Sequence, residues 1–214
     1  VAARSEALAK LTRPKLHGAL PRPRLFALLD EAVAARPIVW VSAPPGAGKS
    51  TLVAGWLEAR GRRHLWVQMD AGDAVPATFA HYLRLAVQPF VRRRARAPAL
   101  FPPQPQQPLE SFARAFFRDL FALLPAGCVL VLDNFQDVHG SAEQRAALAL
   151  GLDEVPEGRT VLVVSRSEPP PEFARLAAAQ RIARLDAAAL RCTDAEAEAI
   201  LAAGGASAAQ IERI

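Results

Sequence analysis

Apolar residues along this chain fall into two patterns that take turns. Ile38-Val39-Trp40-Val41, Leu65-Trp66-Val67, Val129-Leu130-Val131-Leu132 and Val161-Leu162-Val163-Val164 are short, rich in β-branched and aromatic residues, and apolar at every position; Ile182 to Leu185 is a weaker fifth case. Unbroken apolar runs of this length suit strands covered on both faces. Between them the spacing is helical. Pro23 opens a helix with Leu25, Leu28, Leu29 and Val33 on one face, and Thr51 to Leu57, Phe79 to Val91, Leu109 to Leu124 and Pro169 to Ala178 continue the series. Ser141 with Gln144 reads as a capping box starting a helix to Leu152, and Thr193 with Glu196 as a second one starting a helix through Leu201. Strands alternating with helices at these crossover lengths predict an α/β fold, a mostly parallel sheet with helices on both faces.

Composition narrows this only slightly. A chain of 214 residues, 51% of them hydrophobic, has enough apolar surface for one folded domain and a small appendage. No apolar run is long enough to span a bilayer and no secretory leader order is visible, so the expectation is a cytoplasmic protein with no membrane contact. Cys128 and Cys192 are expected to be reduced, structural thiols. The net charge of +5 raises nucleic acid as a partner, but only Lys10, Lys15 and Lys49 are lysines and the one dense cluster, Arg92-Arg93-Arg94-Ala95-Arg96, runs into a Pro/Gln-rich stretch up to Pro108. A solvated helix end before a loop accounts for that run; direct nucleic-acid contact is the alternative.

The chemistry enters with Ala43-Pro44-Pro45-Gly46-Ala47-Gly48-Lys49-Ser50, set between the first strand and the helix that begins near Thr51. Glycines let successive backbone N–H groups turn inward around phosphates, a lysine reaches the terminal pair, and a hydroxyl meets Mg²⁺ at the positive end of the helix. Pro45, Gly46, Ala47, Gly48, Lys49, Ser50 and Thr51 are therefore the expected phosphate cradle. Ala43 stands where the pattern's first glycine would be, which a small residue with negative backbone angles satisfies. Asp133 ends the third strand, where open α/β sheets present carboxylates to ligands, and would share the metal with Ser50. Asn134 follows it. An amide orients water but cannot take its proton, so general-base help must come from elsewhere or be absent; Gln136 and Asp137 are nearby candidates, or all three are ordinary loop residues. Arg166 ends the fourth strand, and a guanidinium there can report a γ-phosphate, the alternative being an arginine on the polar rim of the sheet.

The order of these pieces resembles the STAND-class signal-transducing ATPases, in particular the nucleotide-binding domain of large LuxR-type regulators and their relatives with a bacterial transcriptional activation domain. The stretches that match are Leu11-Thr12-Arg13-Pro14-Lys15-Leu16, Pro23-Arg24-Leu25, the phosphate loop through Leu57, and Leu65 to Asp70 with Asp73. Val131 to Asn134, Ser165-Arg166 through Arg175-Leu176, and Leu190-Arg191-Cys192-Thr193 with Glu196 complete them. The resemblance implies a P-loop NTPase core of ASCE type, a three-layer sandwich with a five-stranded sheet over 37–188. It implies an arm at 1–36 whose Arg13 and Pro14 lie near the adenine, as does the stretch Arg22 to Leu25, and a helical lid starting within 189–214. ATP or ADP with Mg²⁺ would be the cofactor, with catalytic roles for Lys49, Asp133 and Arg166; Asn134, the fourth candidate on the reading of the residues themselves, departs from the paired acids common in the family, which points to slow hydrolysis. Self-association in the ATP state and DNA contact through a domain outside this stretch are further implications. The chain reads as a piece of a longer protein, cut inside the helical module. The expected function is a slow ATP/ADP switch; the alternatives are a catalytic NTPase or motor, and a nucleic-acid module built on the arginine run.

Overall fold

Five strands, β1 (Ile38–Ser42), β2 (His64–Gln68), β3 (Val129–Asp133), β4 (Thr160–Ser165) and β5 (Ile182–Leu185), pair in the order β2-β3-β4-β1-β5, and every pair is parallel. The sheet is thus wholly parallel where the sequence predicted a mostly parallel one. The computed structural model describes residues 8–16, 18–91 and 107–203. The run Arg92 to Arg96, the Pro/Gln-rich stretch up to Gln106, and the predicted features from Gly204 onward lie outside them.

Alternation along each strand divides the core in two. Ile38, Trp40, Leu65, Val67, Leu130, Leu132, Val161 and Val163 face one way, against α3 (Pro76–Val87), α4 (Leu109–Leu123) and α5 (Ala142–Leu152). Val39, Val41, Trp66, Val129, Val131, Leu162 and Val164 face the other, against α1 (Pro23–Ala35) and α2 (Lys49–Ala59). Both sides of the sheet are sealed by helices, hence the apolar runs without polar alternation. Two mid-helix glycines let neighbours approach closely: a Cβ at Gly55 would sit 3.3 Å from the Phe26 ring tip, and one at Gly151 would overlap the ring of Phe117.

Several boundaries shift for local reasons. The helix read from Phe79 to Val91 starts earlier, with Pro76 at its first turn, and ends at Val87 before a 3₁₀ turn, Gln88–Phe90, that contains Pro89. The segment from Pro169 is not one helix. Pro170 is extended, a 3₁₀ turn covers Pro171–Phe173, and only α6 (Ala174–Ala178) is α-helical. The capping box at Ser141 is half formed: Ser141 Oγ accepts from the Gln144 N–H at 3.1 Å, but the Gln144 side chain is buried without a partner. At Thr193 both arms are present, Glu196 N–H to Thr193 Oγ1 at 3.2 Å and Thr193 N–H to Glu196 Oε2 at 3.0 Å, and they open α8 (Asp194–Ala203). A four-residue helix, α7 (Ala187–Leu190), capped by Asp186, went unread in the sequence. Of the two cysteines, Cys128 is buried as expected, but Cys192 is exposed, so a structural role in the core holds only for the first.

Candidate nucleotide-binding site

A wholly parallel sheet delivers all its strand C-termini to one edge. The helix after β1 packs on one face through Leu52, Val53 and Trp56, whereas the segment after β4 crosses to the other through Phe173 and Leu176. Connections that diverge in this way open a crevice between β1 and β4, the position where open α/β sheets take their ligands. Its floor is stiff. Trp40 of β1, Phe135 after β3 and Phe173 after β4 form edge-to-face pairs with centroids 4.8, 5.2 and 5.6 Å apart. Each such contact adds about 0.5–1.5 kcal/mol to simple burial and here ties three strand ends together.

The loop from Ala43 to Ser50 has the backbone its glycines predict. Gly46 (φ +81°) and Gly48 (φ +75°) are left-handed, a conformation that costs a side-chain-bearing residue about 1–2 kcal/mol. Gly48 precedes α2, so the first-turn N–H groups of that helix point into the loop. Lys49 Nζ donates to the carbonyl oxygens of Ala43 (2.6 Å) and Pro44 (2.9 Å), spanning the loop from inside. Burial and the nearby Arg166 guanidinium lower its pKa, while Asp133 opposes them.

Ser50 and Asp133 come together from elements far apart in sequence. Ser50 Oγ donates to Asp133 Oδ1 at 2.8 Å, and the Asn134 N–H donates to the same oxygen at 3.0 Å. Burial raises the Asp133 pKa against those two bonds and the Lys49 charge. A hydroxyl and a carboxylate oxygen are the hard oxygen donors that Mg²⁺ takes, so this pair has the chemistry to hold one. Asn134 sits at φ +59°, ψ +38°, where asparagine is among the best tolerated residues after glycine, so the turn after β3 itself explains an amide at this position.

Beyond the loop lies a cavity of about 1170 Å³ whose walls include Ala43, Gly46, Ala47, Gly48 and Thr51 on one side and Leu20, Phe26, Leu190 and Ile200 on the other. Of the expected cradle, the structure places Gly46, Ala47, Gly48 and Thr51 on this cavity. Lys49, Ser50 and Asp133 gather beside the loop. Pro45 is an exposed loop residue outside the lining. Arg13 and Pro14 are not brought to the cavity either. Arg13 is occupied on α2, donating to the Ala54 carbonyl (2.8 Å) and Glu58 Oε2 (2.7 Å), so it fixes a wall residue instead of facing the space itself.

The family model of the AAA ATPase domain matches residues 22–164. The chain belongs to that family. Among curated relatives, the HTH-type transcriptional regulator MalT of Vibrio cholerae is 31% identical over 169 residues, covering 75% of this chain and 18% of the regulator. The regulator of the same name from Cronobacter sakazakii is 30% identical over 191 residues, 88% of this chain and 21% of its own length. The chain therefore spans about a fifth of the length of the curated relatives it matches. A solved Walker-type ATPase of Pyrococcus abyssi covers 72% of this chain and 48% of its own, with 18% identity and a TM-score of 0.48. The resemblance seen in the sequence holds at this level: the matched family is an ATPase domain, and the relatives are by name regulators of transcription. No helix among the described residues is long and apolar enough to cross a membrane.

In this AAA ATPase domain the end of the cavity away from the phosphate loop is closed by contacts that the sequence did not disclose. Arg22 donates to the Leu190 and Arg191 carbonyls (2.9 and 2.8 Å) and to Glu196 Oε2 (2.8 Å). Arg24 donates to the Ala189 and Arg191 carbonyls (3.1 and 2.7 Å) and to the same carboxylate oxygen (3.1 Å). With Arg22 as the main cause, the Glu196 pKa falls to about 2. The arm and the α7–α8 segment are thereby one wall. The resemblance had placed the stretch Arg22 to Leu25 near the adenine, but nothing in the sequence paired either arginine with Glu196.

Proposed function

We propose that this domain is a nucleotide-dependent switch, binding ATP and ADP with Mg²⁺ and hydrolysing ATP slowly, within a longer regulator of transcription. The observation that carries it is the convergence of Ser50 and Asp133 beside Lys49, at the end of a cavity large enough for a nucleoside. In this reading the loop N–H groups and Lys49 bind the phosphates, Ser50 and Asp133 hold the cation, and the cavity takes the base and ribose. Mg²⁺, when bound, neutralises charge on the terminal phosphates. Asn134 orients water without accepting its proton, and Arg166 distinguishes the triphosphate from the diphosphate. Slow turnover suits a switch, because a nucleotide shifts a two-state equilibrium only through its differential affinity for the states. Residues 37–188 form the core, 1–36 the arm, and the lid begins within 189–214. The names of the relatives support DNA contact through a domain outside this chain and leave self-association in the ATP state as part of the same proposal.

Lys49→Ala should abolish binding of a fluorescent ATP analogue to the full chain. Undiminished affinity would sink the assignment. Turnover by the wild-type chain well above the order of 1 s⁻¹ would instead favour an enzyme whose task is hydrolysis.

A further inference from the structure

Arg166 can read a terminal phosphate only if the backbone at the end of β4 aims it there, and the structure shows what fixes that backbone. On the β1 side, Trp40 Nε1–H donates to the Ser167 carbonyl at 2.9 Å and the Ser42 hydroxyl donates to the Glu168 carboxylate. On the β3 side the 3₁₀ turn Phe135–Val138, which follows Asp133 after the single residue Asn134, supplies Gln136. The Arg166 N–H donates to Gln136 Oε1 at 3.1 Å, and Gln136 Nε2 donates to Asp137 Oδ1 at 3.2 Å, which settles which end of the amide faces Arg166. Among the described contacts this is the hydrogen bond made by Arg166's own backbone N–H to another element. His139, from the same stretch, meets Ser167 Oγ at 3.1 Å one residue further on.

The connected path is short. Ser50 bonds Asp133, Asp133 fixes Asn134, the left-handed turn at Asn134 launches the 3₁₀ turn, and Gln136 on that turn holds Arg166. The residues expected to hold the cation and the residue expected to read the terminal phosphate are therefore joined through one side chain. We propose that Gln136 is a positioning residue that sets Arg166 for discrimination between nucleoside triphosphate and diphosphate, by holding the Arg166 N–H through its Oε1. This takes no part in proton transfer, for a carboxamide neither gains nor loses a proton near neutral pH. It rests on the switch reading above, in which Arg166 is the group that senses the terminal phosphate.

The test uses the full chain, a non-hydrolysable ATP analogue and ADP, both with Mg²⁺, in calorimetric titrations of the wild type, Gln136→Met, Arg166→Ala and the double variant. Methionine keeps the length and removes the acceptor. Gln136→Met should lower the triphosphate-to-diphosphate affinity ratio about fivefold, the scale of one net hydrogen bond, with ADP affinity unchanged. In the Arg166→Ala background the same substitution should change the ratio no further, because the two residues act as one unit. An unchanged ratio in Gln136→Met, an equal loss for both nucleotides, or additive effects in the double variant would overturn the proposal. A wild-type ratio in Arg166→Ala would overturn the sensor role and this inference with it, while loss of all binding in Lys49→Ala would leave the nucleotide site itself standing.

Discussion

Two carboxylates, one in contact with the phosphate loop and one with the arm, are buried or half-buried, and the fold treats them in opposite ways. Asp133, at the phosphate end, is 4% exposed, and desolvation raises its pKa in spite of the bonds from Ser50 and Asn134. Glu196, at the other end, is paired with two arginines and its pKa drops to about 2. Burial of the first carboxylate works against its charge, so that charge counts against the stability of the fold. The second stabilises the fold, locking the arm to α8. Ligand chemistry and architecture have been separated, one at each end.

The strongest way to break this contrast is at Arg22. Arg22→Ala removes charge-assisted bonds to two carbonyls and to Glu196, leaving Arg24, 40% exposed at its side chain, as the remaining partner. Losing that wall should weaken ATP binding by about 2–3 kcal/mol, roughly thirty- to a hundred-and-fiftyfold. Binding of inorganic tripolyphosphate, which meets only the loop, should be unchanged. Parallel titrations of both ligands check the split; an equal loss for both would mean that the two ends are not separable.

Gly48→Ala attacks the opposite end. Space is not the obstacle, since a Cβ there meets nothing within 4 Å; the obstacle is φ +75°. The strain of about 1–2 kcal/mol should weaken ATP and tripolyphosphate alike by roughly five- to thirtyfold. A variant that lost ATP binding and kept tripolyphosphate would contradict the assignment of the loop.

This division also governs what could be read from the sequence. The phosphate end was legible because its parts need particular residue types at particular places: glycine for left-handed angles at 46 and 48, a lysine and a hydroxyl at the helix start, a carboxylate at a strand end. The parallel sheet then put the C-terminal ends of β1 and β3 on one edge, from which Ser50 at the start of α2 reaches Asp133. The other end was hardly legible. Arg22 and Arg24 bond mostly to carbonyl oxygens, which every residue has, so no partner pattern exists in the sequence. Arg13 and Pro14 were carried to the adenine by resemblance, and the packing of Arg13 on Ala54 and Glu58 shows that arm and cavity meet a few residues later, from Leu16 onward. Gln136 was read as a candidate helper of the attacking water, and its hold on Arg166 went unseen for the same reason, its partner being a backbone N–H.

The smallest effects test the two carboxylates directly. A folded pKa raised above the reference 3.8 means that ionised Asp133 costs stability above that folded value, a cost that disappears as pH falls below 3.8. Asp133→Asn should therefore stabilise the ligand-free domain at pH 7, by about 1 kcal/mol or 2–4 °C in Tm, while removing the dependence of ATP affinity on Mg²⁺. Glu196 runs the other way. Its folded pKa of about 2 lies below the reference 4.5, so the arginine pairing contributes fully above pH 4.5 and is lost as pH falls from there towards 2. Glu196→Gln should lower Tm by a similar 2–4 °C at pH 7, with the difference from wild type narrowing only below pH 4.5. Thermal melts of both variants between pH 7 and 3 check the signs. If both substitutions moved Tm in the same direction at pH 7, the two ends would share one electrostatic logic, and the division between a carboxylate kept for a ligand and one kept for the fold would fail.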